Sequence, residues 1–205
     1  MLLAERPLPP FAEAGWIYEI KFDGYRLMAG VDNSEVRLMT RNGANATNWF
    51  PELIAGLATL NGGPHVLDGE VCVLDEMGRS DFDRLHERAR KRRWYKGASP
   101  VVFCAFDLLE RSGRRLIDMP VETRKAQLQE LLTPAPPSTL YVDHLDAAQG
   151  HQLFEQAKEL KLEGLVAKRL GSTYTPGQRS PAWVKVKRKG AVPAERFNRQ
   201  PKSST

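Results

Sequence analysis

Short strand-like runs outnumber helical ones and do not alternate with them, and this constrains the fold more than any other feature of the chain. Runs rich in β-branched and aromatic residues occupy 16–20, 25–31, 36–40, 66–74, 101–108, 140–142, 165–169 and 183–186, most of them bounded by glycine or polar turns. Helical periodicity is found over 50–60, 82–94, 121–132 and 147–162. A regular strand-helix alternation would specify a doubly wound parallel sheet. Its absence predicts an α+β fold with two antiparallel β-sheets flanked by helices. Short sheets packed back to back leave a groove between them.

The helices carry their own punctuation. Leu153, Ala157 and Leu160 share one face of the 147–162 segment, with Gly164 as the expected stop. Leu53, Leu57 and Leu60 line one side of 50–60, Ser80 with Asp83 resembles a capping box before 82–94, and Pro120 suits the first turn of 121–132. With 205 residues and 41% apolar content, the chain can bury one sizeable core. One main domain is expected over 1–189, followed by a basic, disordered tail over 190–205. "TPAPPST" reads as a connector.

The net charge is +5, and its distribution matters more than its total. Seven Lys or Arg between 184 and 205 face the single acid Glu195, and seven more between 84 and 96 face Glu87. The 84–96 cluster reads as a solvated helix face, with contact to a polyphosphate or nucleic-acid backbone as the alternative. Cys72 and Cys104 lie in separate apolar runs, no Cys/His cluster has zinc spacing, and the four histidines show no ligand pattern. These features suit a reducing cytoplasm. No segment approaches the 18 apolar residues of a membrane span, so no membrane partner is expected.

"EIKFDGYRL" carries the sharpest chemical signal. Alternation along a strand would put Glu19, Lys21 and Asp23 on one face and Ile20 and Phe22 on the other, with Gly24 allowing close backbone approach and Arg26 returning a cation. An exposed strand lysine is usually a solvated one, and an ordinary lysine amine, with pKa about 10.4, is a poor nucleophile near neutral pH. Nearby cations, a metal ion or burial would expose its lone pair. Candidate partners are Asp68 and Glu70 in "VLDGEVCVLD", Glu163 and Lys168 in "EGLVAKR", Lys185 and Lys187 in "WVKVKRK", and Arg41 before the Asn42-Gly43 turn. Each segment alone has a plain reading; "WVKVKRK", for example, is a basic edge strand.

Taken in order, Lys21-x-Asp23-Gly24-x-Arg26, Arg41-Asn42-Gly43, Asp68-Gly69-Glu70, "FCAFDLL", Glu163-Gly164-Leu165-Val166-x-Lys168 and Lys185-x-Lys187 resemble the motifs of the covalent nucleotidyltransferases. The chain is most similar to the adenylation domain of ATP-dependent DNA ligases, in particular the ligase domain of bacterial end-joining ligases, over roughly 16–189. The resemblance implies an ATP-grasp-like adenylation fold. It implies that Lys21 attacks the α-phosphorus of ATP to form lysyl-AMP, that AMP passes to the 5′-phosphate of nicked duplex DNA, and that the 3′-hydroxyl then seals the nick. DNA repair and recombination are the implied setting.

By position, the resemblance places Glu19, with Ile20 beside it, at the adenine edge, Asp23 in the catalytic loop, Arg26 and Arg41 on phosphates of AMP or the nicked DNA, and Glu70 on the ribose. Phe106 and Val166 would cover the two faces of the adenine. Glu163, with Glu70, would hold Mg²⁺ or Mn²⁺, and Lys185 and Lys187 would contact the α-phosphate and triphosphate. Cations and a divalent ion suit a phosphoryl transition state, which gains charge on its oxygens.

Capping enzymes share Lys-x-Asp-Gly-x-Arg and use GTP, so a GTP-using capping-type enzyme is one alternative. Ligases of the family continue into an OB-fold barrel, for which the 18 residues after Lys187 are too few. The expectation is therefore a monomeric adenylation domain without an OB-fold, sealing with an OB-fold domain or another repair protein in trans. A catalytically impaired DNA-end binding module is the other alternative.

Overall fold

The computed structural model describes residues 1–5, 11 and 13–191, and the predicted tail lies outside the described residues from 192 onward. Period-two alternation sorts the strands into two sheets. Sheet A joins β1 (Leu2–Glu5), β11 (Arg179–Lys187), β10 (Gly164–Arg169), β2 (Trp16–Ile20) and β9 (His144–Asp146) in that order. Sheet B runs β4 (Glu35–Thr40), β3 (Tyr25–Asp32), β5 (His65–Cys72), β6 (Val102–Arg111) and β7 (Arg114–Arg115), with β8 (Thr139–Tyr141) paired to β6. Pairing is antiparallel throughout except for β1 with β11 and β6 with β8. The predicted α+β class is the one observed.

Each sheet has a helical side and a cleft side. In sheet B, Leu27, Ala29, Leu67, Val71 and Phe103 face helices α1 (Pro51–Leu57), α2 (Phe82–Arg90) and α3 (Val121–Leu131), which supply Leu53, Leu57, Leu85 and Leu128 to the same cluster. In sheet A, Leu165, Ala167, Val184 and Val186 pack with Ala157 of α4 (Ala147–Glu159). Burying one such Leu or Phe contributes about 1.5–3 kcal/mol, so each sheet is anchored by its helical side and its other face is left to line the cleft. Between the sheets lie two smaller apolar groups, one around Met1, Leu109, Tyr174 and Trp183, the other around Cys72, Cys104 and Val142.

Four local expectations are corrected. β11 is not an edge strand, because β1 pairs along its outer side. Asp81, not Ser80, caps α2 by accepting from the Arg84 N–H at 3.0 Å, while the Ser80 hydroxyl accepts from the Asp23 N–H at 3.1 Å. α2 ends at Arg90 because the buried Arg88 guanidinium draws the Arg93 carbonyl inward at 2.7 Å, so residues 84–96 are not one solvated helix. Gly164 does not stop α4: the chain turns at Lys161, with φ of 56°, and Gly164 opens β10.

Candidate active site

The residues singled out from sequence converge because of register. Across sheet A, Val166 lies opposite Glu19 of β2 on one side and Lys185 of β11 on the other, and Gly164 lies opposite Lys187. The Lys21 N–H donates to the Gly164 carbonyl at 2.9 Å, extending the pairing just past the end of β2. Across sheet B, Arg26 lies opposite Glu70. A register irregularity pairs Asp68 with Asp107 and Gly69 with Ala105, which leaves Phe106 without a partner and turned toward the cleft.

The cleft encloses about 670 Å³, and its walls include Glu19, Lys21, Arg26, Arg41, Glu70, Phe106, Val166, Lys185 and Lys187. Ile20 and Asp23 are not among its lining residues, and neither is Glu163, which stands directly behind two lysines. Its carboxylate accepts from Lys21 Nζ at 2.6 Å and pairs with Lys187 Nζ at 2.7 Å. The nearest charge to Lys21 is therefore an anion, and the second cation is reached through it. Gly24 explains how the loop seats so deeply: a Cβ there would lie 2.1 Å from the Val71 carbonyl oxygen.

The base of the cleft holds a charge cluster that the sequence pattern did not single out as a unit. Glu19, Lys125 and Lys168 are all buried, and Glu19 pairs with Lys125 and with Lys168 at 2.8 Å each. Lys168 Nζ also donates to the Phe106 carbonyl at 2.9 Å, and Lys125 Nζ donates to the Val142 carbonyl. Burial by itself would raise the Glu19 carboxyl; the two ammonium groups outweigh it and hold Glu19 below the usual carboxylate range. Burial pulls the Lys168 ammonium down, against the opposing pull of Glu19. Lys125 sits on the polar stretch of α3, and nothing in its local spacing marks it as more than a surface lysine.

Arg26 is less available than expected. Its guanidinium donates to both oxygens of the buried Asp68, at 2.9 and 2.5 Å, to the Met1 carbonyl at 2.6 Å and to the Tyr174 hydroxyl at 3.3 Å, while lying 5.3 Å from the Phe106 ring centre. Burial disfavours its charge, yet Asp68 reverses this and strengthens it. Arg41, by contrast, is exposed at the mouth beside a tight turn in which the Gly43 N–H donates to the Thr40 carbonyl at 2.9 Å.

Glu70 shows the opposite balance. Its enclosed position pushes its carboxyl up from 4.5 to about 7, with Lys21 and Arg26 pulling the other way. Mg²⁺ keeps several waters and needs only one or two carboxylates alongside substrate phosphates, so Glu70, which lines the cleft, fits such an ion directly, and Glu163 fits it by exchanging one of its two lysine contacts. No group of three or more His, Cys, Asp or Glu side chains arranged to hold a metal ion occurs among the described residues. No helix among them is long and apolar enough to cross a membrane.

Comparison with known proteins agrees with this geometry. The family model for the ATP dependent DNA ligase domain matches residues 4–187. The multifunctional non-homologous end joining protein LigD of Pseudomonas aeruginosa is 40% identical over 179 residues, covering 87% of this chain and 20% of that protein. The SPbeta prophage-derived DNA ligase-like protein LigB of Bacillus subtilis is 36% identical, over 86% of this chain and 63% of that one. The chain thus spans about a fifth of the length of the LigD relative. Among solved structures, the ligase domain of M. tuberculosis LigD superposes with a TM-score of 0.71 at 36% identity, covering 84% of this chain and 54% of that one. A mycobacterial DNA ligase D complexed with ATP and MES gives 0.72 at 35% identity, covering 91% and 58%. Fold, motif order and these likenesses agree, and the chain belongs to the ATP-dependent DNA ligase family as its adenylation domain.

Proposed function

We propose that the inter-sheet cleft binds ATP and that Lys21 is its nucleophile, forming lysyl-AMP for transfer to the 5′-phosphate of nicked duplex DNA. The observation that carries this reading is the Lys21–Glu163–Lys187 chain of contacts at 2.6 and 2.7 Å, beside a cleft whose register also presents Lys185. A Lys21 Nζ–Pα bond forms as the Pα–O bond to the β-phosphate breaks, pyrophosphate departs, and the ammonium proton has the Glu163 carboxylate within reach. Lys185 and Lys187 balance charge on the phosphate oxygens. Glu19 reads the adenine edge beside Ile20, Phe106 and Val166 sandwich the ring, and Glu70 takes the ribose hydroxyls.

Asp23 acts from the loop that Ser80 latches. Arg41, at the exposed mouth, contacts phosphates of AMP or of the nicked DNA, and Arg26 does so while anchored on Asp68. A divalent cation held by Glu163 and Glu70 would supply further charge neutralisation at the phosphates.

Incubation with α-labelled ATP and Mg²⁺ is expected to label the protein covalently, and Lys21→Ala is expected to abolish the label. Absence of label from either ATP or GTP would leave the DNA-end binding alternative. Label from GTP alone would favour a capping-type enzyme.

A further inference from the structure

A basic turn after α2 lies next to the cleft mouth and has no part in the nucleotide chemistry. From Arg88 to Lys96 the sequence contains no acid, and Arg90, Lys91, Arg92, Arg93 and Lys96 are all exposed. The turn is built from inside. Arg88, fully buried, donates to the Arg93 carbonyl at 2.7 Å, pairs with Glu52 at 3.2 Å, and lies 5.5 Å from the Phe50 ring and 5.9 Å from the Tyr95 ring. Arg92 holds a left-handed backbone with φ of 52°, a conformation uncommon outside glycine.

The exposed cations meet aromatic rings. Lys91 Nζ stands 3.6 Å from the Tyr95 ring centre, and the Arg92 guanidinium 5.4 Å from that of Trp49. Trp49 itself lines the cleft with Arg41 and Asn42. The Arg92–Trp49 contact therefore joins the basic turn to the cleft mouth. A solvated face normally interleaves both signs of charge, whereas a run of one sign on a pinned backbone suits a regular array of phosphates.

We propose that the Arg90–Lys96 turn is a duplex-binding surface, contacting the phosphate backbone of DNA beside the nick while the cleft holds the nick itself. This surface rests on the ligase reading for the identity of its ligand. Its contacts are to backbone, so they should serve nicked and unbroken duplexes alike and carry no base sequence preference.

The test is an anisotropy titration of labelled nicked and unbroken duplexes of one sequence against the full chain over a series of KCl concentrations. The variant Lys91→Ala/Arg93→Ala/Lys96→Ala leaves the Arg92 contact with Trp49 in place. It is expected to weaken binding to both duplexes by at least about 10-fold at low salt. The slope of log K against log[salt] should become less negative by about 2 to 3, since each lost phosphate contact contributes roughly 0.9. Labelling by ATP without DNA should be unchanged in this variant, which reports an intact fold. The charge-keeping variant Lys91→Arg/Arg93→Lys/Lys96→Arg should bind as the wild type does.

Unchanged affinity and slope in the alanine variant would overturn the proposal, as would failure of the wild type to bind either duplex. Weakening in the charge-keeping variant would also overturn it. If the wild type is never labelled by ATP but the alanine variant shows the slope change, the ligase reading is sunk and the surface stands. Labelling with no slope change would do the reverse.

Discussion

At the scale of single residues, the buried charges below the cleft are unequal in number, and that inequality predicts which of them matters most. Glu19 is one anion between two ammonium groups. Replacing Lys125 by Met leaves a neutral Glu19–Lys168 pair and orphans the Val142 carbonyl, at a cost of about 1–3 kcal/mol. Replacing Glu19 by Gln leaves two buried lysines facing each other, at a cost of about 3–5 kcal/mol. Urea midpoints should therefore fall further for Glu19→Gln than for Lys125→Met; an equal or reversed order would show that Lys125 is the true anchor. The sign of the linkage follows from the depressed Glu19 carboxyl: its stabilisation is present above the unfolded carboxylate range and is lost as pH falls through the lower folded value. Glu19 was visible in the sequence from its place in the motif, but Lys125 was not, because a lysine mid-helix looks the same whether it meets water or a carboxylate 106 positions away.

At the scale of elements, β10 against β11 does the positioning. Gly164 has φ of 142°, and a Cβ there would lie 2.1 Å from the Val186 carbonyl oxygen and 2.9 Å from the Lys187 Cα. Gly164→Ala must part the two strands at the point that sets Glu163 against Lys187. Such backbone strain is worth about 1–3 kcal/mol, so the thermal midpoint should drop and nucleotide labelling should fall with it. A variant with wild-type stability and labelling would show that the strand spacing does not set the site. Strand identity was largely legible, since residues 16–20 form β2 as expected and the 165–169 run is β10 with one residue added. Terminations were less so. Where α2 and α4 stop depends on Arg88 reaching the Arg93 carbonyl and on the left-handed Lys161, and neither contact has a signature in local spacing.

At the scale of the whole molecule, the site belongs to neither sheet alone. Sheet A supplies Glu19, Val166, Lys185 and Lys187, and sheet B supplies Arg26, Glu70 and Phe106. The sheets are joined through side chains, with Lys168 of sheet A donating to the Phe106 carbonyl of sheet B and Tyr174 donating to Asp68 at 2.8 Å. A nucleotide bound between them should slow amide exchange in both at once. With ATP added to Lys21→Ala, which lacks the proposed nucleophile, protection is expected in β10 and β11 and also around Tyr25–Arg26 and Glu70. Protection confined to one sheet would mean that the nucleotide does not bridge them.

The sequence alone determined the α+β class, the order of the motifs and the family, because alternation of side chains and the spacing of Lys21, Glu70, Glu163 and Lys185 are local properties of the chain. Tertiary structure alone decided which charges are paired. Arg26 is taken up by Asp68, Lys21 by Glu163, and Glu19 by two lysines, and each of those pairings spans a turn of the fold that residue spacing does not encode. The reason is electrostatic: a buried charge is tolerated only with a partner of opposite sign within a few ångströms, and only the packed sheets determine which residues come that close.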